Sequence, residues 1–225
     1  MTALKLNNRF SIVTNLLIIN ILVFMAETLL PATIGDSLIQ FGALRFWKGG
    51  DFHVWQLFTY MFLHADFTHI FFNMFALWMF GRGLEYDLGS RNFLIYYFVC
   101  GVGAGLIQLG VNWIEYAAAL SKPVVSPVVV AQLAHASTIG ASGAVYGLLL
   151  AFGMLHPDNR IMLMFPPVVL KAKWFVIIYG VIELLAGIRS GISGGANIAH
   201  FAHLGGMLFG WLLLRYWKRK NFIYY

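Results

Sequence analysis

The sequence predicts an all-α, polytopic membrane protein: one bundle of six transmembrane helices occupying residues 1–225 as a single domain. Three observations lead there. Hydrophobic residues make up 60% of the chain and charged residues only 11%, with a mean hydropathy of +0.76, too little polar surface to cover a water-soluble globule. Apolar stretches of about 20 residues, long enough to cross a bilayer as a helix, recur along the chain. The basic residues, finally, collect on alternate connecting segments.

The elements follow in order. The first apolar run, Ile12 to Leu30, predicts a helix over 12–31. It is too long for a signal-peptide core and no small-residue cleavage site follows, so it is expected to be retained, with the mature chain beginning near Met1. Further helices are predicted over 64–84, 92–113, 139–156, 173–189 and 196–216. Six spans place both ends on one side. With cytoplasmic termini that side receives Lys5, Arg9, Arg82, Arg91, Arg160, Lys171, Lys173, Arg215, Lys218, Arg219 and Lys220, eleven cations against the four of Arg45, Lys48, Lys122 and Arg189 opposite, which satisfies the positive-inside rule. Tyr216 and Trp217 beside Lys218-Arg219-Lys220 read as an interfacial anchor. The net charge of +6 is then a matter of topology and anionic lipid, and no nucleic-acid partner is implied. Cys100, the single cysteine, lies inside an apolar run and excludes a disulfide framework.

Polar residues at bilayer depth carry the functional signal, because ionisable groups there are costly and rarely idle. Ser142 stands in Gly140-Ala141-Ser142-Gly143 at the start of the fourth helix, His203 in Ala202-His203-Leu204-Gly205-Gly206 on the sixth, and His64, His69 and Asn73 on the second. In the proposed topology all three helices run from the outer face inward, so these residues share one shallow layer that water can reach. A serine in a first helical turn sits beside unpaired backbone N–H groups. Gly140 and Gly143 leave those amides uncovered; Gly143 with Gly147, and His203 with Gly206 and Gly210, form faces along which two helices can approach closely. His69 and Asn73, at i and i+4, share a face from which both can point donors at a developing oxyanion. A nucleophile, a base and such donors are the parts of an acyl-transfer hydrolase.

Gly140-Ala141-Ser142-Gly143 with Tyr146, the series His64, His69, Asn73, and Ala202-His203 with Gly206 and Gly210 together resemble the rhomboid intramembrane serine proteases, over nearly the whole chain. A Gly81-Arg82-Gly83-Leu84-Glu85 segment, read as a turn after the second helix, is also similar to the family's. The resemblance implies a multi-pass protein of a bacterial cytoplasmic membrane that cleaves single-pass transmembrane substrates near the outer face, in contact with membrane lipids and without metal or organic cofactor. It implies Ser142 as nucleophile and His203 as general base in a dyad lacking a third carboxylate. The oxyanion donors would be the Ser142 N–H, Asn73 and His69. Tyr146 would pack on the His203 ring, His64, Gly140, Gly143, Gly206 and Gly210 would support the site, and the fifth helix with the Gly191-to-Asn197 loop would gate it. In one respect the chain departs from the pattern: the first outer loop carries Trp55-Gln56 where many bacterial relatives have Trp-Arg, so its usual charged anchor is missing.

Several of these residues also have structural readings. His69 fits a brace between helix and loop as well as it fits an oxyanion donor, and His200 is read as structural or solvated. Glu27 and Glu183 are expected to be paired or protonated carboxylates on the first and fifth helices. There is no His-Glu-x-x-His motif and no pair of aspartates inside the spans, against metallo- and aspartyl-protease chemistry. A haem carrier would leave the serine and glycines unexplained. The alternative is a proteolytically inactive, rhomboid-like membrane-protein binding or quality-control factor, and the presence of both Ser142 and His203 speaks against it.

Overall fold

A computed structural model of the chain describes residues 11–162, 167–193 and 200–220. Helices cover each predicted apolar stretch: α1 Ile12–Leu29, α4 Phe67–Leu88, α5 Ser90–Leu120, α7 Ser142–Leu155, α8 Ala172–Ser193 and α9 His200–Arg219. The shorter α2 (Ala32–Gly42), α3 (Gln56–Thr59) and α6 (Pro127–Ala134) lie in the connections. Two strand pairs close the loops: β1 (Leu44–Arg45) against β2 (Ser137–Thr138), and β3 (Arg160–Met162) against β4 (Val169–Lys171), both antiparallel.

By length and composition, α1 and α5 could each cross a membrane, whereas α7 is apolar but has only 14 residues. At 1.5 Å per residue α7 is about 21 Å long, against a hydrocarbon core of about 30 Å. It is the central helix, with Gly143, Ala144, Val145, Gly147, Leu148, Leu149, Ala151 and Gly153 all buried among α4, α5, α8 and α9. The outward faces of the surrounding helices are apolar: Ile18, Ile21 and Leu22 on α1, Phe71, Phe72 and Trp78 on α4, and Ile177, Val181 and Leu185 on α8 are exposed. Such continuous faces suit hydrocarbon rather than water.

Three boundaries differ from expectation. The Gly81–Glu85 segment is helical, not a turn: α4 continues to Leu88 and stops at Gly89, whose φ of 75° favours glycine. Gly81 is small because Val13 of α1 packs on it, and Glu85 caps α1 by accepting the N–H groups of Ile12 (2.8 Å) and Val13 (3.0 Å) and the Ser90 hydroxyl (2.7 Å). α5 runs to Leu120, because Ala117, Ala118 and Ala119 propagate the helix past the polar Asn112 and Glu115. Its 31 residues extend about 46 Å, beyond the hydrocarbon. Of the expected gating loop, Gly191, Ile192 and Ser193 belong to α8, and 194–197 lie outside the described residues, as do 196–199 of the sixth predicted helix.

The loop that carries Trp55-Gln56 is braced despite lacking the expected charged anchor. The fully buried Gln56 accepts from the N–H groups of Arg45 (3.2 Å) and His53 (3.1 Å) through Oε1 and donates to the Asp51 carbonyl (3.1 Å) through Nε2. Trp55 donates its indole N–H to the Phe41 carbonyl at 3.1 Å.

Candidate active site

Ser142 is the first residue of α7, and the turn before it fixes its position. The Gly140 N–H donates to the Tyr60 carbonyl at 2.9 Å, and Gly140 has a φ of 125°, where any side chain is strained. A Cβ there would lie 2.8 Å from His69 Nε2 and 3.8 Å from Ser142 Oγ. Glycine therefore both makes the turn and leaves room for the His69 ring beside the serine.

His203 reaches Ser142 because α9 lies directly on the α7 backbone. A Cβ on Gly206 would stand 1.9 Å from the Gly143 carbonyl oxygen, and one on Gly147 would lie 2.4 Å from Cys100 Sγ and 3.2 Å from the Gly206 oxygen. A Cβ on Gly143 would meet Ala104 at 2.4 Å, and one on Gly210 the Tyr96 hydroxyl at 2.3 Å, so α5 closes the same crossing from behind. Tyr96 also donates to the Gly147 carbonyl at 2.8 Å. With the backbones held together, Ser142 Oγ and His203 Nε2 are 2.8 Å apart. Tyr146, one turn beyond Ser142, stacks on the His203 ring with centroids 4.2 Å apart and planes within 6°.

His203 Nδ1 faces a carboxylate. It lies 3.0 Å from Glu183 Oε2, at ion-pair distance though not aligned as a regular hydrogen bond. The same oxygen is 2.7 Å from His200 Nδ1, and Oε1 accepts the Tyr146 hydroxyl at 2.5 Å. Glu183 is 7% exposed. A carboxylate of α8 therefore stands beside the expected Ser142–His203 dyad, and His200, read as structural or solvated, is bonded to it. A lone glutamate in an apolar helix signals that a partner exists. That Gly180 and Gly187, at i−3 and i+4, flank it on one face is a further signal, since they admit Met207 and Phe201 of α9.

α4 and the segment before it contribute unevenly: His64, expected on the second helix, lies ahead of α4, which starts at Phe67 after the Asp66 cap. The Ala65 N–H donates to His69 Nδ1 at 3.4 Å, which leaves the ring proton on Nε2, the nitrogen beside Gly140 and Ser142. His64 is buried with its ring edge against His69, centroids 5.0 Å apart, and so holds that ring in place. Asn73 is buried one turn further on, but its Nδ2 donates to the His69 carbonyl at 2.9 Å and is engaged within its own helix here. Glu27 is half-buried and accepts from the His64 N–H at 3.4 Å. The structure therefore gathers Ser142, His203, Tyr146, Gly140 and His69 around one point, with Glu183 and His200 behind the base.

A serine hydroxyl hydrogen-bonded to an imidazole, at a helix start whose first N–H has no intrahelical acceptor, is equipped to attack an acyl group and to hold the resulting oxyanion. The class of molecule is accordingly a helical bundle, apolar on its outside, that encloses a serine–histidine pair. Comparison with known proteins names it: the family model described as Rhomboid domain matches residues 51–220, and the chain belongs to the rhomboid family. It is 34% identical over 158 residues to Rhomboid protein 1, mitochondrial, of Saccharomyces cerevisiae, covering 68% of this chain and 40% of that protein. It is 27% identical to Rhomboid protease AarA of Providencia stuartii, covering 94% of this chain and 75% of AarA, and 28% identical to Rhomboid protease GluP of Bacillus subtilis, covering 83% and 31%. The chain thus spans well under two thirds of the yeast protein and of GluP. Membership makes it an integral membrane protein, and at the level of the family the activity is proteolysis in the membrane.

Proposed function

We propose that this protein is an intramembrane serine endopeptidase that cleaves single-pass transmembrane substrates near the outer membrane face. The observation that carries the reading is the 2.8 Å contact between Ser142 Oγ and His203 Nε2 at the start of the apolar helix α7. Six helices, α1, α4, α5, α7, α8 and α9, cross the bilayer in this reading, with both termini in a bacterial cytoplasm as the distribution of lysine and arginine favours.

His203 Nε2 takes the Ser142 proton as Oγ adds to the scissile carbonyl carbon. The C–N bond then breaks as the imidazolium returns that proton to the leaving amine, and water from the outer face hydrolyses the acyl-enzyme with His203 again as base. The oxyanion would be held by the Ser142 N–H and the His69 Nε2–H. Asn73 joins them if its amide turns from the His69 carbonyl when substrate binds; a donor of this kind contributes about 3 kcal/mol. A transmembrane helix satisfies its own backbone, so substrates with small or helix-breaking residues near the outer end, where unwinding is easiest, are preferred. Access is lateral, past α8.

Cleavage of a single-pass reporter in proteoliposomes by wild type, Ser142→Ala and His203→Ala, each shown to be folded, tests the reading. Loss in both variants is expected. A wild type that binds reporter without cutting it, across several helix-destabilised sequences, would make the protein a membrane-protein binding factor instead.

A further inference from the structure

We propose that Glu183 is the positioning residue of the site: its carboxylate fixes His203 in the tautomer and orientation in which Nε2 can take the Ser142 proton. This rests on Ser142 as nucleophile and His203 as base. For Nε2 to accept from the serine, the imidazole proton must reside on Nδ1, and Nδ1 is the atom that faces Glu183 Oε2 at 3.0 Å. An acceptor in that place stabilises the required tautomer and the imidazolium that forms during attack.

The carboxylate is itself held. The Tyr146 hydroxyl donates to Oε1, His200 Nδ1 lies against Oε2, and Gly180 and Gly187 bring α9 close on either side. Tyr146 also stacks on the His203 ring, so one residue of α7 orients both the base and its carboxylate. Three donor groups converge on two acceptor oxygens. Glutamine has one acceptor oxygen and an NH2 group, so it cannot accept from all three; Glu183→Gln preserves shape while leaving His203 Nδ1 without a secure acceptor. Along the outer half of α8, residues 177–189, Glu183 and Gly187 are the buried positions, whereas Ile178, Val181, Ile182, Leu184, Leu185 and Ile188 are exposed. Movement of that half away from α9 would withdraw the carboxylate, so the base is set only while α8 is docked.

The test separates chemistry from substrate access. Wild type, Ser142→Ala, Glu183→Gln and Glu183→Asp are reacted with a fluorophosphonate probe, which labels an activated serine, and kcat and KM are measured on the proteoliposome reporter. Histidine 15N spectra report the His203 tautomer. In Glu183→Gln, labelling and kcat are expected to fall about 100- to 10,000-fold with KM within about threefold, as for removal of the carboxylate from a serine–histidine–carboxylate system. The Nδ1-protonated signal should lose its dominance, and Glu183→Asp should recover part of both. A Glu183→Gln enzyme that labels and cleaves within about threefold of wild type, with an unchanged His203 spectrum, would overturn the proposal alone. Failure of wild type to label, or labelling that survives Ser142→Ala, would overturn the serine assignment and this proposal with it. Should Glu183→Gln not fold, Glu183→Asp decides: labelling reduced about tenfold at unchanged thermal stability supports positioning, and labelling at the wild-type rate refutes it.

Discussion

Replacing Gly206 by alanine adds one methyl group where two helices touch, and its consequence can be worked from the structure. The new Cβ would stand 1.9 Å from the Gly143 carbonyl oxygen and 2.7 Å from its carbon. Both are backbone atoms and cannot rotate away. Ordinary contact requires about 1.5 Å more, so α7 and α9 must separate or slide by about that much. The crossing lies one turn from His203 and beside Ser142, so the 2.8 Å hydrogen bond would open to about 4 Å. Overpacking of this kind costs about 1–3 kcal/mol in stability, and misplacement of a reacting group by about 1 Å costs about 100-fold in rate. Gly83→Ala is the matched control, since its Cβ would meet nothing within 4 Å in the same kind of membrane helix. Fluorophosphonate labelling and thermal unfolding in detergent, measured for both variants, check the expectation. Gly206→Ala should label about 100-fold more slowly and melt earlier, and Gly83→Ala should match wild type. Wild-type labelling by a normally stable Gly206→Ala would show that the helix crossing does not set the distance between the pair.

Two further outcomes concern the loops. Gln56→Ala strands the N–H groups of Arg45 and His53 and the Asp51 carbonyl, and should cost about 2 kcal/mol, a fall of about 4–8 °C in Tm. Gln56→Arg should be no better, because arginine cannot accept from two N–H groups; a rise in Tm would refute this. Asp158→Asn should leave Tm and cleavage unchanged near neutrality, since its pairs with Lys171 and Lys173 at 3.0 and 3.1 Å are exposed. Those lysines hold the Asp158 carboxyl below its ordinary value, so whatever it contributes is present above about pH 4 and lost as pH falls through the depressed value. A difference from wild type that grew on acidification would have the wrong sign.

Composition and apolar run length made the helices legible, because burying a helical backbone in hydrocarbon demands long apolar segments and little else. Their ends were less so. The apparent turn at Gly81-Arg82-Gly83 is helix, since Gly81 is small for contact with Val13 and not for a bend, and a glycine required by packing looks the same in sequence as one required by a turn. The helix α2 went unrecognised among the 32–63 connection for a related reason: Gly35 there fits against the Glu27 carbonyl of α1, a contact between elements that periodicity within one element does not encode. Around the site, Ser142 and His203 could be singled out because each lies on a helix whose glycines advertise close approach, whereas the packing of Tyr146 on His203 came only from the family resemblance. Gln56 and Glu183 could not be placed, because their partners, Arg45 and His53 for one and three groups on α7 and α9 for the other, are joined only by the tertiary fold.

Glu183 shows what a carboxylate at bilayer depth requires. Alone it would have to be neutralised or expelled, since the cost of desolvating an ion exceeds what one contact returns. Tyr146 and the two histidines together lower that cost by spreading the charge over groups already fixed by packing. The arrangement is self-consistent only when all of them are present, because removing any one leaves a buried donor or a buried charge unsatisfied. An orienting carboxylate on the same helix as the nucleophile would be in place whether or not α8 were docked. Placed on α8, whose outer half buries little else, a carboxylate that orients His203 as proposed would couple the docking of that helix to the readiness of the base.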